Sequence, residues 1–335
     1  MTREIGSEFW DVSPLGKEDN GVFPESTRWF LSGRIALRSI IKQLVDCRTV
    51  AVPSWCCESM IEPFVTAGLE VCFYPVYWRD GLVQKIREDC DVLFLIDYFG
   101  YVGDHSNLSS YQGVVVRDIT HSVFSSTYSD ADYYFGSLRK WSGFWTGGYA
   151  WTKDGRLLDC RDSNDCGYVE LRKRAMSLKE KYVNGEENVG KKYLVMFDDA
   201  EELLDRADDG LADKRDVRLA CQFDAKTMRF KRRANAAVLR EAIPDWLIFS
   251  EMRSFDCPMF VPVRVPNEKR NDLRSFLIEH EIYCPIHWTE SEFHKLDDQT
   301  RDLYDVELSL VCDQRYDEED MLRMVEMINL FQKAL

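Results

Sequence analysis

Gly113-Val-Val-Val-Arg-Asp118-Ile-Thr-His121, together with Val-Leu-Phe-Leu-Ile at residues 92–96, decides how this chain is read. Both contain a short, unbroken apolar run, the pattern of a strand buried on both faces of a parallel sheet. Working outward, residues 32–45 carry Ile35, Leu37, Ile40, Ile41 and Leu44 at helical spacing behind Ser32-Gly33, a suitable helix start. Residues 49–53 form a short apolar strand, 58–67 a helix and 70–74 another strand, while 131–135 and 149–151 extend the strand series. Short strands separated by helices predict an α/β layered domain through about residue 155.

The pattern then changes. Residues 168–243 are rich in Glu, Lys, Arg, Leu and Ala and predict long helices, with the charged stretch 198–216 as a solvated helical face and turn. Strands return after Pro244 at 246–249, 259–265, 282–285 and 307–312, interleaved with helices over 268–280 and 317–335. The last of these is amphipathic, as core packing requires. The expected organisation is a large domain over 1–210, with a mostly parallel central sheet between helices, and a smaller C-terminal α/β domain over 211–335.

The chain has 335 residues, 45% of them hydrophobic and 30% charged, enough apolar material for a sizeable core. Its 43 basic against 58 acidic side chains leave a net charge of −15. Nucleic-acid and membrane surfaces, themselves negative, would repel it, so neither is expected as a partner. No segment approaches the roughly 20 apolar residues of a membrane helix. The opening residues lack the apolar stretch of a signal peptide, which makes the cytoplasm the expected location. The eleven cysteines include no Cys-x-x-Cys pair and no ligand spacing with the five histidines, so reduced core thiols are expected rather than a metal site.

Ligands of open parallel sheets sit beyond the carboxyl ends of the strands, and four places there stand out. Ser32-Gly33-Arg34 opens a helix, where backbone N–H groups and the helix dipole bind a phosphate, with Arg34 adding charge; the alternative is an ordinary N-cap. Trp55, after Pro53-Ser54, is either a flat partner for a planar ring or a core side chain. The adjoining Cys56-Cys57 has no resolving partner or basic neighbour and is not read as a redox pair. Asp118 closes a buried strand, where its carboxylate needs a cation: Arg117, Arg139 or a protonated ring nitrogen. His121 either hydrogen-bonds the same ligand or is a satisfied core histidine. Lys140 follows an apolar strand, is flanked by Trp141, Phe144 and Trp145, and precedes Gly147-Gly148, which let the next strand approach closely. Aromatic bulk excludes water and favours the neutral, nucleophilic amine; a surface lysine is the alternative.

Pyridoxal 5'-phosphate (PLP) asks for that whole set in that order: a helix N-terminus for its phosphate, a stacking ring, a carboxylate for its pyridinium nitrogen and a lysine for its aldehyde. The chain also resembles the DegT/DnrJ-type aminotransferases, fold-type-I PLP enzymes known for aminating nucleotide-linked keto sugars. The resemblance runs from about residue 30 to the end. It rests on Ser32-Gly33-Arg34-Ile35-Ala36-Leu37, Pro53-Ser54-Trp55, Arg117-Asp118-Ile119-Thr120-His121-Ser122, Lys140 with Gly147-Gly148, and Leu308-Ser-Leu-Val-Cys-Asp-Gln-Arg-Tyr316. It implies Lys140 as the cofactor-binding lysine, Asp118 as the pyridinium partner and Trp55 as the stacking ring. Gly33, Arg34 and Ser137 are implied as phosphate contacts, and His121 as a neighbour of the ring hydroxyl. The chain departs from the family at Arg34, where Thr is usual, and at Asp97, where the sugar enzymes often have His. It departs again at Thr146, which replaces a Glu, and in placing Ser137 three rather than five residues before Lys140.

The expected activity is transfer of an amino group from an amino acid, expected to be glutamate, to a keto substrate, a nucleotide-linked keto sugar by family analogy. Arg315 or Arg233 is expected to hold the donor carboxylate through a bidentate pair. A homodimer with shared active sites is implied, with residues 188–193 as a place where the neighbour's contact originates. Two other readings compete: elimination, decarboxylation or C–C cleavage on an amino acid with the same cofactor, and a non-catalytic protein on the same scaffold.

Overall fold

The computed structural model describes residues 3–102, 108, 110–125, 131–161, 167–186, 190–266 and 268–333. In chain order the first elements are β1 (Ile5–Gly6), β2 (Arg28–Phe30), α1 (Gly33–Ile41), β3 (Thr49–Pro53), α2 (Glu58–Thr66) and β4 (Glu70–Tyr74). There follow β5 (Val76–Trp78), β6 (Leu82–Gln84), β7 (Val92–Ile96), β8 (Val114–Asp118), β9 (Tyr133–Ser137) and β10 (Gly148–Thr152). The helices α3 (Tyr168–Val183), α4 (Tyr193–Asp205), α5 (Lys214–Gln222) and α6 (Ala225–Ala242) come next. The chain ends with β11 (Phe260–Arg264), α7 (Arg270–Glu279), β12 (Ile282–Tyr283), α8 (Asp298–Val306), β13 (Glu307–Val311) and α9 (Glu318–Lys333). The expected α/β class with a mostly parallel central sheet is the fold the chain adopts.

Two compact units make up the molecule, and neither is one continuous stretch. The first combines Met1–Ser7, Asp46–Ala131 and Lys226–Leu335; the second combines Glu8–Val45 and Asp132–Ala225.

In the first unit β8, β7, β3 and β4 lie side by side, all parallel, with Ile96 opposite Asp118 and Pro53 opposite Tyr74. All five residues of β7 are buried, as its unbroken apolar run demands. Asp91 pins the start of β3: one carboxylate oxygen accepts from the Arg48 and Thr49 N–H groups and the Thr49 hydroxyl. The C-terminal part of this unit has its own core, in which Val261, Val263, Leu308 and Leu310 of the antiparallel pair β11–β13 pack with Leu273, Leu277, Met324 and Ile328. The expected strand at 246–249 is absent. Residues Pro244–Trp246 form a single 3₁₀ turn, and Leu247 makes only an isolated bridge to Val263.

In the second unit β10 runs antiparallel to both β9 and β2. The sequence pattern predicts strands at 131–135 and 149–151 that extend the parallel series. The connection from Ser137 to Gly148 holds only a 3₁₀ turn at Leu138–Lys140, and a parallel crossover needs a dozen or more residues, usually a helix. The charged stretch 198–216 is also not simply solvated. Glu201 pairs with Arg139 and Arg172, Asp205 with Arg34, and buried Asp216 accepts from Thr146. Among the described residues no helix is long and apolar enough to cross a membrane.

Candidate active site

In the first unit the candidate groups gather at the carboxyl ends of β3, β7 and β8. Asp118 is the last residue of β8, 3% exposed, and its Oδ1 accepts the Thr120 N–H at 2.7 Å. The two arginines named as its possible partners are engaged elsewhere. Arg117 is wholly buried and donates to Asp97 from Nε at 3.1 Å and Nη2 at 2.5 Å, while Ser122 donates to the other Asp97 oxygen at 2.6 Å. Arg139 forks onto Glu201 and also reaches the Tyr168 hydroxyl. Burial would raise the Glu201 carboxyl, but Arg139, with Arg172 and Arg34, together outweigh it and hold the group down at about 2.

The Asp97-Tyr98-Phe99-Gly100 turn after β7 is tightly constrained. Phe99 has φ +55°, a left-handed conformation that costs a bulky residue about 1–3 kcal/mol and clusters at functional sites. Its N–H donates to His121 Nδ1 at 3.3 Å and its carbonyl accepts from Met259. His121 is therefore an acceptor at Nδ1, which places the proton of the neutral ring on Nε2. Gly100, at φ +83°, has no room for a side chain: a Cβ there would lie 1.8 Å from the Cys257 carbonyl oxygen. Trp55 is 0% exposed, stacked on Tyr98 at 5.0 Å and 14°. Trp288, brought in from the C-terminal segment, stacks on His121 at 5.8 Å and 15°. Cys56 is buried, and burial pushes its thiol well above the usual range, so it stays protonated.

One buried network was not legible in the sequence. Glu307 is wholly buried; its Oε1 faces the Ser309 hydroxyl at 2.5 Å and its Oε2 accepts the His287 N–H at 2.6 Å. The Ser309 Oγ is 2.9 Å from His287 Nδ1, and the His287 ring stands edge-on to Phe99 and His121. The alternating Glu-Leu-Ser-Leu pattern of β13 reads as a half-buried strand with Glu307 and Ser309 toward water, but all five residues are buried. Burial pushes the Glu307 carboxyl up from 4.5 to about 8, against the smaller opposing effects of Ser309, His287 and Arg270. A carboxyl raised on folding gives stability that is fully present below its unfolded pKa and lost as pH rises through the folded value. Glu307→Gln, which keeps the shape but cannot ionise, is thus expected to lose on the order of 4 kcal/mol less stability than the parent between pH 5 and pH 9. Denaturant midpoints at the two pH values read this, and parallel losses in both proteins would refute it.

The arginines expected to receive a donor carboxylate are both occupied by protein groups. Arg315 is bidentate on Asp313, at 3.0 and 2.8 Å, and also reaches the Ser7 carbonyl. Burial would raise the Asp313 carboxyl; Arg315 beside it holds it below the usual range. Arg233 donates to the carbonyls of Arg253 and Asp256 and so ties down that loop.

In the second unit Lys140 closes the 3₁₀ turn after β9 and is half-buried. The turn is held from three sides. The Leu138 N–H donates to the Gly147 carbonyl at 2.8 Å, Gly143 N–H donates to Asp11, and Ser142 Oγ lies 3.1 Å from the Ser13 N–H. Farther along, Arg172 donates to the Phe144 carbonyl and Tyr168 to that of Trp145. The Trp145 ring lies between Lys173 and Arg215, 4.1 and 3.8 Å from its centroid. Trp141 and Phe144 are fully buried beside Lys140 in sequence.

Ser32 caps α1, its Oγ accepting the Ile35 N–H at 3.3 Å, so the ordinary N-cap is real. The N–H groups of Gly33 and Arg34 in the first turn have no carbonyl partner within the helix, which leaves the anion-binding property of a helix start in place. The Arg34 guanidinium itself pairs with Asp205 at 2.6 Å. Gly148 packs directly on this helix start, since a Cβ there would lie 2.1 Å from the Ser32 carbonyl oxygen. Gly33 in turn lies against Gly136 and Ser137, both 3.3 Å from where its Cβ would be. Ser137, half-buried, thus lies at the N-terminus of α1. The close approach expected of the paired glycines is met at Gly148.

No protein-family model matches the chain, and no curated protein matches it in sequence. Solved structures do. A proposed sugar aminotransferase from Streptococcus pneumoniae, in its PMP form, matches with a TM-score of 0.65 and 14% identity over 92% of this chain and 88% of its own. A DegT DnrJ EryC1 StrS aminotransferase from Brucella abortus matches with a TM-score of 0.59 and 14% identity over 91% and 85%. DesI, solved in the presence of its TDP-sugar product, matches with a TM-score of 0.58 and 12% identity over 91% and 80%. The chain therefore has the fold of these sugar aminotransferase structures.

Proposed function

We propose that this chain is a PLP-dependent aminotransferase that moves an amino group from an amino acid, glutamate by preference, to a keto substrate, a nucleotide-linked keto sugar. The observation that carries the reading is Asp118: a buried carboxyl group, its Oδ1 accepting the Thr120 N–H, at the carboxyl end of a parallel strand. It is supported by Lys140 on a firmly braced turn, by the helix start at Gly33, and by fold neighbours described as a PMP form and as a TDP-sugar product complex. PLP, when bound, supplies an aldehyde that carries the amino group and a ring that withdraws electrons from the substrate carbon.

The residues have distinct tasks. Lys140 would hold the cofactor, and its Nζ would serve as general base and then acid, moving the proton taken from the substrate carbon to the cofactor's aldehyde carbon. The Asp118 carboxylate would hold the ring nitrogen in its protonated state. The N–H groups of Gly33 and Arg34, with Ser137, would hold the phosphate, and Trp55 and His121 are the remaining candidate contacts with the ring. Arg315 and Arg233 are the candidate groups for the donor carboxylate, each by exchanging a present protein partner. A large domain over 1–210, a small one over 211–335, a cytoplasmic location and a homodimer with shared active sites complete the proposal. Of the region 188–193 proposed to reach the neighbour, residues 188 and 189 lie outside the described residues.

The test is a spectral titration of the purified full chain with PLP, followed by L-glutamate. The expected result is a visible band on cofactor addition that glutamate bleaches with release of one equivalent of 2-oxoglutarate. Bleaching with release of carbon dioxide, ammonia or an aldehyde instead would assign a different reaction of the same cofactor. Absence of any visible band would remove the enzyme reading altogether.

A further inference from the structure

Glu307, Ser309 and His287 form a closed chain of hydrogen bonds whose members cannot choose their roles independently. The Ser309 hydroxyl has one proton to give and two neighbours, Glu307 Oε1 at 2.5 Å and His287 Nδ1 at 2.9 Å. The second carboxyl oxygen, Oε2, is an acceptor in every state, because the His287 backbone N–H donates to it at 2.6 Å. With a neutral imidazole, two arrangements satisfy all these contacts. With Glu307 ionised, Ser309 donates to Oε1 and accepts from His287 Nδ1–H, so Nε2 carries no proton. With Glu307 protonated, Oε1–H donates to Ser309, which donates to Nδ1, and the imidazole proton resides on Nε2.

We propose that Glu307, acting through Ser309, sets which ring nitrogen of His287 carries the proton, making His287 Nε2 a hydrogen-bond donor in one state and an acceptor in the other. The two states differ by one proton. Glu307 and Ser309 are positioning residues in this account, and they act only through His287.

The surroundings decide where the states exchange. The groups facing the network are Arg270 from α7, whose Nη1 donates to the Glu307 carbonyl at 3.1 Å, buried Cys284, and His121, whose ring is 5.7 Å from that of His287. Phe99, Phe260 and Trp288 complete the wall around the imidazole and hold no charge. Burial keeps Glu307 protonated up to about pH 8, so Nε2–H is the form present at neutral pH.

The tautomer is measurable without any activity. In the full chain labelled with ¹⁵N-histidine, long-range ¹H–¹⁵N spectra distinguish Nε2–H, Nδ1–H and imidazolium, and the His287 signal is assigned by its loss in His287→Gln. The expected result is a change of His287 from Nε2–H to Nδ1–H with a midpoint near pH 8. Glu307→Gln has one orientation that satisfies both neighbours, its carbonyl toward the His287 N–H and its amide NH₂ toward Ser309, and so should lock Nε2–H from pH 6 to pH 10. Ser309→Ala should remove the pH-dependent change while leaving a folded protein. One tautomer throughout in both the parent and Glu307→Gln, or an imidazolium at neutral pH, overturns the proposal. The same samples titrated with PLP separate the two readings, since a protein that shows the tautomer change but no visible band loses the enzyme reading and keeps the relay.

Discussion

Lys140→Ala is expected to abolish the visible band formed with PLP and to reduce amino transfer from glutamate by at least about a thousandfold, the scale of the general acid–base contribution alone. The side chain is half-buried, and the turn that carries it is held by backbone hydrogen bonds from Leu138 and Gly143 that alanine leaves untouched. The variant should therefore unfold within about 1 kcal/mol of the parent. That combination, full loss of the band with near-parental stability, separates a reacting amine from a structural one. A variant that keeps the band, or loses it only by unfolding, would take Lys140 out of the role.

Asp97→Ala is expected to be the most damaging substitution for stability. It leaves the Arg117 guanidinium, wholly buried, without the carboxylate that accepts from both Nε and Nη2. Breaking a buried pair from one side costs about 3–5 kcal/mol, because the remaining charge is neither solvated nor compensated. Ser122→Ala removes only one hydrogen bond to the same carboxylate and should cost about 1 kcal/mol. Denaturant unfolding of the two variants beside the parent reads the difference. An Asp97→Ala protein as stable as Ser122→Ala would mean that water reaches Arg117 and that the pair is not sealed. The consequence for the site is indirect: Arg117 and Asp118 are consecutive residues at the end of β8, so a pair that fixes one side chain also fixes the strand end from which the other projects.

Much of the architecture was legible because it depends on local pattern. The apolar runs at β7 and β8, the helical spacing in α1 and the Leu/Glu/Lys-rich middle all report burial through periodicity alone, and each became the expected element. What failed depends on chain partners. The direction of β10 is a property of a connection too short for a crossover, and the strand expected at 246–249 has only one bridge to support it. Acids 201, 205 and 216 look like a solvated charge run until the arginines and the threonine that meet them are known.

The candidate site divides in the same way. Lys140, Asp118 and Gly33 could be named from residue type and position after a strand or before a helix, since a strand end and a helix start are themselves local features. The occupation of Arg117 by Asp97, of Arg139 by Glu201 and of Arg315 by Asp313 could not. Nor could the Glu307–Ser309–His287 network, which joins β13 to the loop after β12 and hides a carboxyl within an alternating strand. The sequence by itself determined the α/β layering and the few side chains that stand at strand ends, because hydrophobic periodicity and turn chemistry act between near neighbours. Only the tertiary structure decided which charged group answers which. Ion pairs and proton relays are formed by residues far apart in sequence, and their energies depend on burial that no short stretch of chain sets alone.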